Sequence, residues 1–175
     1  MNQHTTVNAP ENNHSNELLR EFQSGVGSLN YLVQHSRPDL SNCVRELDKF
    51  MKSVGLKEMK LLLQAVNYLK NTKYYGLKFI KWNGVNEVDL NCYVDSDYAG
   101  YKSTRKSVSV WIVFCLGSPI MWKSKQQPII ETSSTESEYI ALSELTKELM
   151  FLIKIFEFIN IRVKFTIKIN TDNIL

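Results

Sequence analysis

The sequence predicts an α+β protein in which a mixed β-sheet with one long crossover helix follows a small helical segment. Two observations support this prediction. Residues 87–172 contain several short runs in which apolar and polar positions alternate, the period of a β-strand. One much longer run, residues 134–160, repeats its apolar residues at helical spacing before the last of these strands. Because a strand–helix–strand crossover commonly joins parallel neighbours, we expect the first and last strands to lie side by side.

Length and composition are those of an ordinary globular protein. The chain has 175 residues, of which 43% are hydrophobic and 22% charged, enough for one proper core with a smaller attachment. A net charge of +3 is compatible with a nucleic-acid partner without being diagnostic of one. The sequence has no long apolar run and no apolar signal core in its first 20 residues. We therefore expect an intracellular, cytoplasmic protein with no membrane partner, the nucleus being the alternative compartment.

The histidines and cysteines exclude some chemistry. All three histidines lie in the first fifth of the chain, so the remainder cannot contain a histidine-based triad or a histidine zinc centre. The cysteines, also three, are widely spaced and none are paired at zinc-ligand spacing: Cys43, Cys92 and Cys115. They are typical of free thiols in an intracellular protein.

Three regions are predicted along the chain. Residues 1–16 are polar and Asn-rich, which predicts a disordered tail. Residues 17–86 form a helical segment, with helices predicted over 38–54 and 57–71 and a short strand over 74–84. Residues 87–175 form the sheet domain. Its strands are predicted over 87–97, 107–117, 118–125 and 161–172.

One acidic residue heads the apolar stripe of the long helix. That stripe consists of Leu142, Leu145, Leu149, Leu152, Phe156 and Ile159. Continued one step toward the start of the helix, it reaches Glu138, whereas Glu136, Glu144 and Glu148 point away from it. A carboxylate on a face that packs against a sheet is costly unless it is paired, protonated or bound to a cation.

Two aspartates at strand ends raise the same question. Parallel first and last strands would bring Asp95 and Asp172 together, with Glu138 approaching from the helix. Three such acids repel one another unless a cation joins them, and Mg²⁺ prefers oxygen ligands. Two Mg²⁺ ions about 3.5–4 Å apart support phosphodiester hydrolysis without histidine. The residues alone leave ordinary alternatives open, namely turns at the strand ends and a helix-dipole partner for the glutamate.

Several stretches, in order over roughly residues 22–175, resemble the end of a copia-type retrotransposon Pol polyprotein. FQSGVGSLNYLVQHSRPDL and YLKNTKYYGL resemble the end of its reverse transcriptase. The segments that resemble its ribonuclease H domain are YVDSDYAG, STRKSVS, MWKSKQQPIIETSSTESEYIALSE and INTDN. The resemblance implies a ribonuclease H-like fold for residues 87–175 and a helical remnant of the reverse transcriptase for residues 17–86.

The resemblance also implies a site and an activity. Asp95, Glu138 and Asp172 would be the catalytic metal ligands, with Asp97 a further candidate ligand. The implied reaction is Mg²⁺-dependent, endonucleolytic hydrolysis of the RNA strand of RNA–DNA hybrids during reverse transcription. The implied partners are the hybrid and the rest of a reverse transcriptase.

The sequence departs from the family in two ways. The aspartates that catalyse DNA synthesis are missing, so we do not expect the chain to polymerise DNA. The chain ends at Leu175, before the family's further helices and fourth acid, so we expect a C-terminally truncated domain whose second Mg²⁺ site is in doubt. Activity of this chain is therefore left open. The alternative is a catalytically dead remnant that binds nucleic acid non-specifically or serves as a host-adopted interaction module.

Two basic stretches could bind the hybrid, which proteins recognise mainly through phosphates and 2′-hydroxyls. The first is the loop with Lys102, Arg105 and Lys106. The second contains Trp122, Lys123 and Lys125, whose lysines would neutralise phosphates while the tryptophan stacks on a sugar or base. The ordinary alternatives are a solvated loop and a tryptophan that only packs in the sheet.

Overall fold

The computed structural model describes residues 11–81, 84, 86–100, 104–164 and 166–172, with the backbone alone for residues 11–14. The chain divides into two compact units, the first ending at Tyr75 and the second beginning at Gly76. Residues 1–10 of the predicted disordered tail lie outside the described residues. Residues 11–16 belong to the first helix.

The first unit is helical. Its elements are α1 (Glu11–His35), a 3₁₀ helix (Pro38–Leu40), α2 (Ser41–Asp48) and α3 (Leu56–Asn71). The helix predicted over 57–71 is confirmed, whereas the one predicted over 38–54 begins as a 3₁₀ turn and ends at Asp48. The core of the unit is formed by Phe22, Val26, Leu29, Val33, Leu40, Val44, Leu47, Leu62 and Ala65.

A buried arginine connects two ends of helices in this unit. Arg37 is 5% exposed. Its guanidinium donates to both carboxylate oxygens of Asp39, at 2.9 and 2.8 Å. It also donates to Thr72 Oγ1 at 2.7 Å and to the Thr72 carbonyl at 3.2 Å. The Arg-Pro-Asp stretch therefore ties the turn after α1 to the end of α3, and it satisfies a charge that would otherwise be costly to bury.

The second unit is an α+β domain with the predicted ribonuclease H-like sheet. Its elements are β1 (Glu87–Val88), β2 (Leu90–Asp97), β3 (Val108–Cys115), β4 (Ser118–Gln126), α4 (Ser134–Phe158), β5 (Arg162–Val163) and β6 (Lys168–Asn170). Four strands form one sheet in the order β4-β3-β2-β6, and β1 pairs with β5. The β2–β3 and β3–β4 pairs are antiparallel, while β6 lies parallel to β2. Helix α4 is therefore the predicted crossover.

Two strand predictions were wrong in detail. The strand predicted over 74–84 is not formed in the described residues of that range, where the Ile80 N–H donates to Ser118 Oγ at 2.8 Å. A side chain, not a neighbouring strand, satisfies that backbone group. The last predicted strand is formed as two short pieces, β5 and β6, which belong to different sheets.

Helix α4 covers one face of the four-stranded sheet. The buried residues between them are Leu90, Cys92, Val94, Trp111, Val113, Ala141, Leu145, Leu149 and Leu152. Because side chains alternate across a strand, Tyr93, Asp95 and Val110 project from the opposite face, where each is exposed.

The packing face of α4 differs from the predicted stripe at both ends. Ser137 and Ala141 are fully buried at its start, so Ser137 heads the face and Glu138 lies at its margin, half-buried. Small side chains allow the start of the helix to approach the sheet closely. At the other end, Ile159 is 50% exposed and lies beyond the helix.

Candidate metal and nucleic-acid site

The parallel pairing of β2 with β6 brings two aspartates to neighbouring strand ends. Cys92 is opposite Ile169, and Tyr93 is opposite Asn170. Asp95 and Asp172 each follow two residues later along strands that run in the same direction. The crossover topology thus places side by side two residues that are far apart in sequence.

Of the glutamates near the start of α4, Glu136 is hydrogen-bonded to the residues that begin the helix. Ser133 Oγ caps the helix by accepting the Glu136 N–H at 3.1 Å. Glu136 in turn accepts from the backbone N–H and the hydroxyl of Thr132, at 2.7 and 2.8 Å. The backbone hydrogen bond, followed by the hydroxyl, lowers the pKa of Glu136 below its usual value. Glu136 is therefore engaged at the helix start, as expected from its position off the apolar stripe.

Asp95, Glu138 and Asp172 line one small cleft where β2 and the end of β6 lie next to the start of α4. The complete lining is Val94, Asp95, Glu138, Ala141, Thr171 and Asp172. The cleft encloses about 20 Å³, enough for one water-sized body. All three acids that the sequence singled out thus contribute to the lining of one cleft, together with Ala141 of α4.

The lining fits magnesium in its chemistry but not in its present spacing. Carboxylates are the oxygen ligands that Mg²⁺ prefers. In the described part of the chain, however, no group of three or more His, Cys, Asp or Glu side chains is spaced to hold a metal ion. One reason is visible at Asp95, whose Oδ1 accepts the Ser96 N–H at 2.7 Å and so turns back toward its own strand. The side chains would have to rotate to share an ion.

Asp97 occupies a different position from the three acids. It is the last residue of β2, it is exposed, and it is not part of the cleft lining. Its carboxylate lies against the following turn, where a Cβ at Gly100 would be 2.1 Å from Asp97 Oδ2. Glycine at position 100 is therefore needed for this arrangement.

A buried polar network joins the strands to the start of α4. Ser96 Oγ and Ser137 Oγ are 2.8 Å apart, and Gln127 Nε2 donates to the Ser137 carbonyl at 2.8 Å. Glu131, 4% exposed, accepts from the Ser107 hydroxyl at 2.6 Å and from its N–H at 3.1 Å. We did not predict this network from the sequence. The available signal was the pair of serines at positions 107 and 109, at the start of an otherwise apolar strand.

The basic loop before β3 lies beside the end of β4. Gln126 Nε2 donates to Thr104 Oγ1 at 3.0 Å, and Lys106 Nζ donates to the Pro128 carbonyl at 2.5 Å. Arg105 and Lys125 are exposed. Lys102 lies outside the described residues. The described basic residues are thus near one another at the edge of the sheet.

Trp122 and Lys123 do not form one surface, because consecutive strand residues point to opposite faces. Lys123 lies on the α4 side, with Nζ 2.9 Å from Glu148 Oε1 and 5.8 Å from the centre of the Trp111 ring. Trp122 is paired in register with Ile112 and lies on the other face. The second predicted basic patch is therefore divided between the two faces.

Within the described residues, no helix is both long enough and apolar enough to cross a membrane.

Known proteins resemble this chain over most of its length. It is 36% identical over 131 residues to secreted RxLR effector protein 161 of Plasmopara viticola, covering 75% of this chain and 90% of that protein. It is 33% identical over 154 residues, 88% of the chain, to the retrovirus-related Pol polyprotein from transposon RE1 of Arabidopsis thaliana. A third relative, the Pol polyprotein from transposon TNT 1-94 of Nicotiana tabacum, is 34% identical over 131 residues.

The chain matches only 10% of the length of each of these two polyproteins. No protein-family model matches it, and no solved structure matches it significantly. At 33–37% identity over most of the chain, its homologues are copia-type retrotransposon Pol polyproteins and related transposon proteins.

Proposed function

We propose that the chain acts as a ribonuclease H-like domain that hydrolyses the RNA strand of RNA–DNA hybrids with Mg²⁺. The observation that carries this proposal is the common cleft of Asp95, Glu138 and Asp172, which come from two strand ends and a helix. A turn or a helix-dipole contact explains each acid alone. Neither explains why all three acids line the same cleft.

The proposal gives each of these residues a role. Asp95, Glu138 and Asp172 would hold magnesium, whereas Asp97 lies outside the cleft lining and would have a smaller part. Bound magnesium supplies Lewis-acid stabilisation and an activated water for phosphodiester hydrolysis. The chain's own task is to bring three carboxylates together and to release Asp95 Oδ1 from the Ser96 N–H.

Arg105, Lys106 and Lys125 are the described side chains suited to neutralise the phosphates of the hybrid. Lys102 would join them. Lys123 is held by Glu148 and has a smaller part in this proposal. Trp122 would stack only on a nucleotide that reaches the face opposite α4. In the longer polyproteins the partner of this domain would be the rest of the reverse transcriptase.

A second candidate is a non-catalytic remnant that binds nucleic acid by charge or serves as a host-adopted interaction module. Two observations favour it. The described residues contain no group of acids spaced for a metal ion. The chain also covers 90% of a Plasmopara protein whose name describes a secreted effector, not a polyprotein.

A cleavage assay separates these candidates. The parent chain is compared with Asp95→Asn on an RNA–DNA hybrid with Mg²⁺, and the control is Asp89→Asn, which makes the same charge change at an exposed residue outside the cleft. We expect the parent and the control to cleave and Asp95→Asn to lose activity. Equal cleavage by all three proteins, or none by any, removes the catalytic proposal.

The same samples test the second candidate. Salt-sensitive binding of the hybrid without turnover would identify a nucleic-acid-binding remnant. Negligible affinity for the hybrid, together with protein partners recovered in a pull-down, would identify an interaction module.

A further inference from the structure

Two serines connect the elements that carry Asp95 and Glu138. Ser96 directly follows Asp95 on β2, and Ser137 directly precedes Glu138 on α4. Their hydroxyl oxygens are 2.8 Å apart, and Ser137 is fully buried. This is a side-chain bond between strand and helix at the position of the candidate site.

The directions of these hydrogen bonds follow from the number of donors. Ser137 Oγ also lies 2.6 Å from the Ser134 carbonyl, which can only accept. A serine hydroxyl has one proton, so Ser137 donates to Ser134 and accepts from Ser96. Removing either hydroxyl therefore breaks the same bond between strand and helix.

Gln127, the residue after β4, supports the same turn of the helix. Its side-chain nitrogen donates to the Ser137 carbonyl at 2.8 Å and to Ser109 Oγ at 2.9 Å. Its backbone N–H donates to the Ser107 carbonyl at 2.9 Å. Gln127 is 1% exposed, so these bonds are shielded from water. The start of α4 is thus held to β2 and, through Gln127, to β3.

We propose that Ser96 and Ser137 are positioning residues that fix the backbone separation between Asp95 and Glu138 before any metal arrives. With the strand and helix locked together, the backbone positions of Asp95 and Glu138 are fixed, and the Asp95 side chain has to turn from the face opposite α4 toward the cleft to share an ion. Sites held in this way lose less conformational freedom on binding. The part of this inference that concerns magnesium rests on the proposed function, whereas the coupling between strand and helix does not.

The coupling is tested first in the metal-free protein by NMR of the backbone amides. The variants are Ser96→Ala, Ser137→Ala and the double variant, and the control is Ser143→Ala at an exposed serine of α4. We expect Ser96→Ala to shift the Glu138 amide and Ser137→Ala to shift the Asp95 amide. The double variant should resemble Ser137→Ala, because that variant already lacks the bond between strand and helix and the Ser96 change removes no further one. An unchanged Glu138 amide in Ser96→Ala overturns the inference.

Calorimetric titration with Mg²⁺ in the absence of nucleic acid then tests positioning. Each single variant should weaken Mg²⁺ binding by about tenfold, the effect typical of residues that orient metal ligands. The double variant should bind Mg²⁺ no more weakly than Ser137→Ala. A merely structural role would lower the melting temperature and leave the affinity unchanged, which overturns the inference.

A parent chain that takes up no Mg²⁺ contradicts the proposed function. The metal-free spectra would then decide the coupling alone, so the two failures are distinguishable.

Discussion

Tyr93 and Asn170 face each other across a parallel strand pair, which places Asp95 and Asp172 at neighbouring strand ends. The Asn170 side chain reinforces this register by donating to the Cys92 carbonyl at 2.8 Å. Because α4 precedes β5 and β6 in the chain and covers the sheet, it also delivers Glu138 to the same cleft. The fold and the candidate site therefore depend on the same crossover.

Two glycines of α1 should respond oppositely to alanine. A Cβ at Gly25 would be 2.7 Å from Leu62 Cδ2, whereas a Cβ at Gly27 would meet nothing within 4 Å. We expect Gly27→Ala to stabilise the first unit by about 0.5–1 kcal/mol, because alanine restricts the unfolded chain and favours helix. Gly25→Ala should be less stable than Gly27→Ala by about 1–3 kcal/mol, since the contact is overpacked. Urea unfolding followed at NMR peaks of α1 measures both, and equal stabilities would contradict the close packing of α1 on α3.

The first unit should lose stability in acid through Asp39. The hydrogen bond from Arg37 lowers the pKa of Asp39 below its ordinary value of 3.8, with burial opposing it and the Tyr68 hydroxyl assisting. A carboxyl whose pKa is lowered in the folded state contributes stability above its unfolded pKa and loses it as the pH falls through the folded pKa. The free energy of unfolding should therefore decrease below about pH 4.

The matched variant for this pH effect is Asp39→Asn. It should be less stable than the parent at neutral pH, because Arg37 keeps a buried charge with a weaker partner. Its stability should also depend less on pH in the acid range. Asp48 does not explain the effect, since burial raises its pKa and gives a pH dependence of the opposite sign. Parallel pH profiles for parent and variant would contradict the prediction.

Binding of an RNA–DNA hybrid should depend on Lys125 and Arg105 more than on Lys123. Lys125 and Arg105 are exposed, whereas Lys123 is paired with Glu148 at 2.9 Å. Each alanine variant of the exposed residues should weaken binding and reduce the slope of log affinity against log salt by about 1. Fluorescence anisotropy at several salt concentrations measures this, with exposed Lys147→Ala on α4 as the control. A larger loss of hybrid affinity for Lys123→Ala than for Lys125→Ala would contradict this prediction.

The thiols should react slowly in the folded protein. Burial raises the pKa of Cys92 to about 11 and raises those of Cys43 and Cys115 above the usual value as well. Because the thiolate is the reactive form, Cys92 should be labelled last by a disulfide reagent at pH 8. Mass spectrometry of time points gives the order, with the chain unfolded in urea as the reference. Early labelling of Cys92 would show that the sheet opens readily.

Periodicity predicted the second unit better than the first. Alternation identified β2 and β3 because their inward residues, such as Cys92 and Val113, are apolar and pack under one helix. It did not identify α1, whose two interior glycines lower helix propensity although Gly25 is needed for packing against Leu62. The residue type needed at such a position is determined by tertiary contacts, which the local sequence pattern does not show.

The acids of the candidate site were also found from their positions, but the groups that surround them were not. Glu138 was identified by extending a stripe, although the structure buries Ser137 at the head of that stripe. The Ser96–Ser137 bond joins residues from separate elements, so only the packed fold brings it into existence. For the same reason, the pairing of Lys123 with Glu148 could not be read from either segment alone.

Anomalous scattering from crystals grown with Mn²⁺, a substitute for Mg²⁺ with the same preference for oxygen ligands, locates any metal bound in the cleft. We expect a metal peak bound by the carboxylates of Asp95, Glu138 and Asp172, with Asp95 Oδ1 turned away from the Ser96 N–H. A well-ordered domain whose cleft holds no metal, or whose metal binds elsewhere, would contradict this expectation.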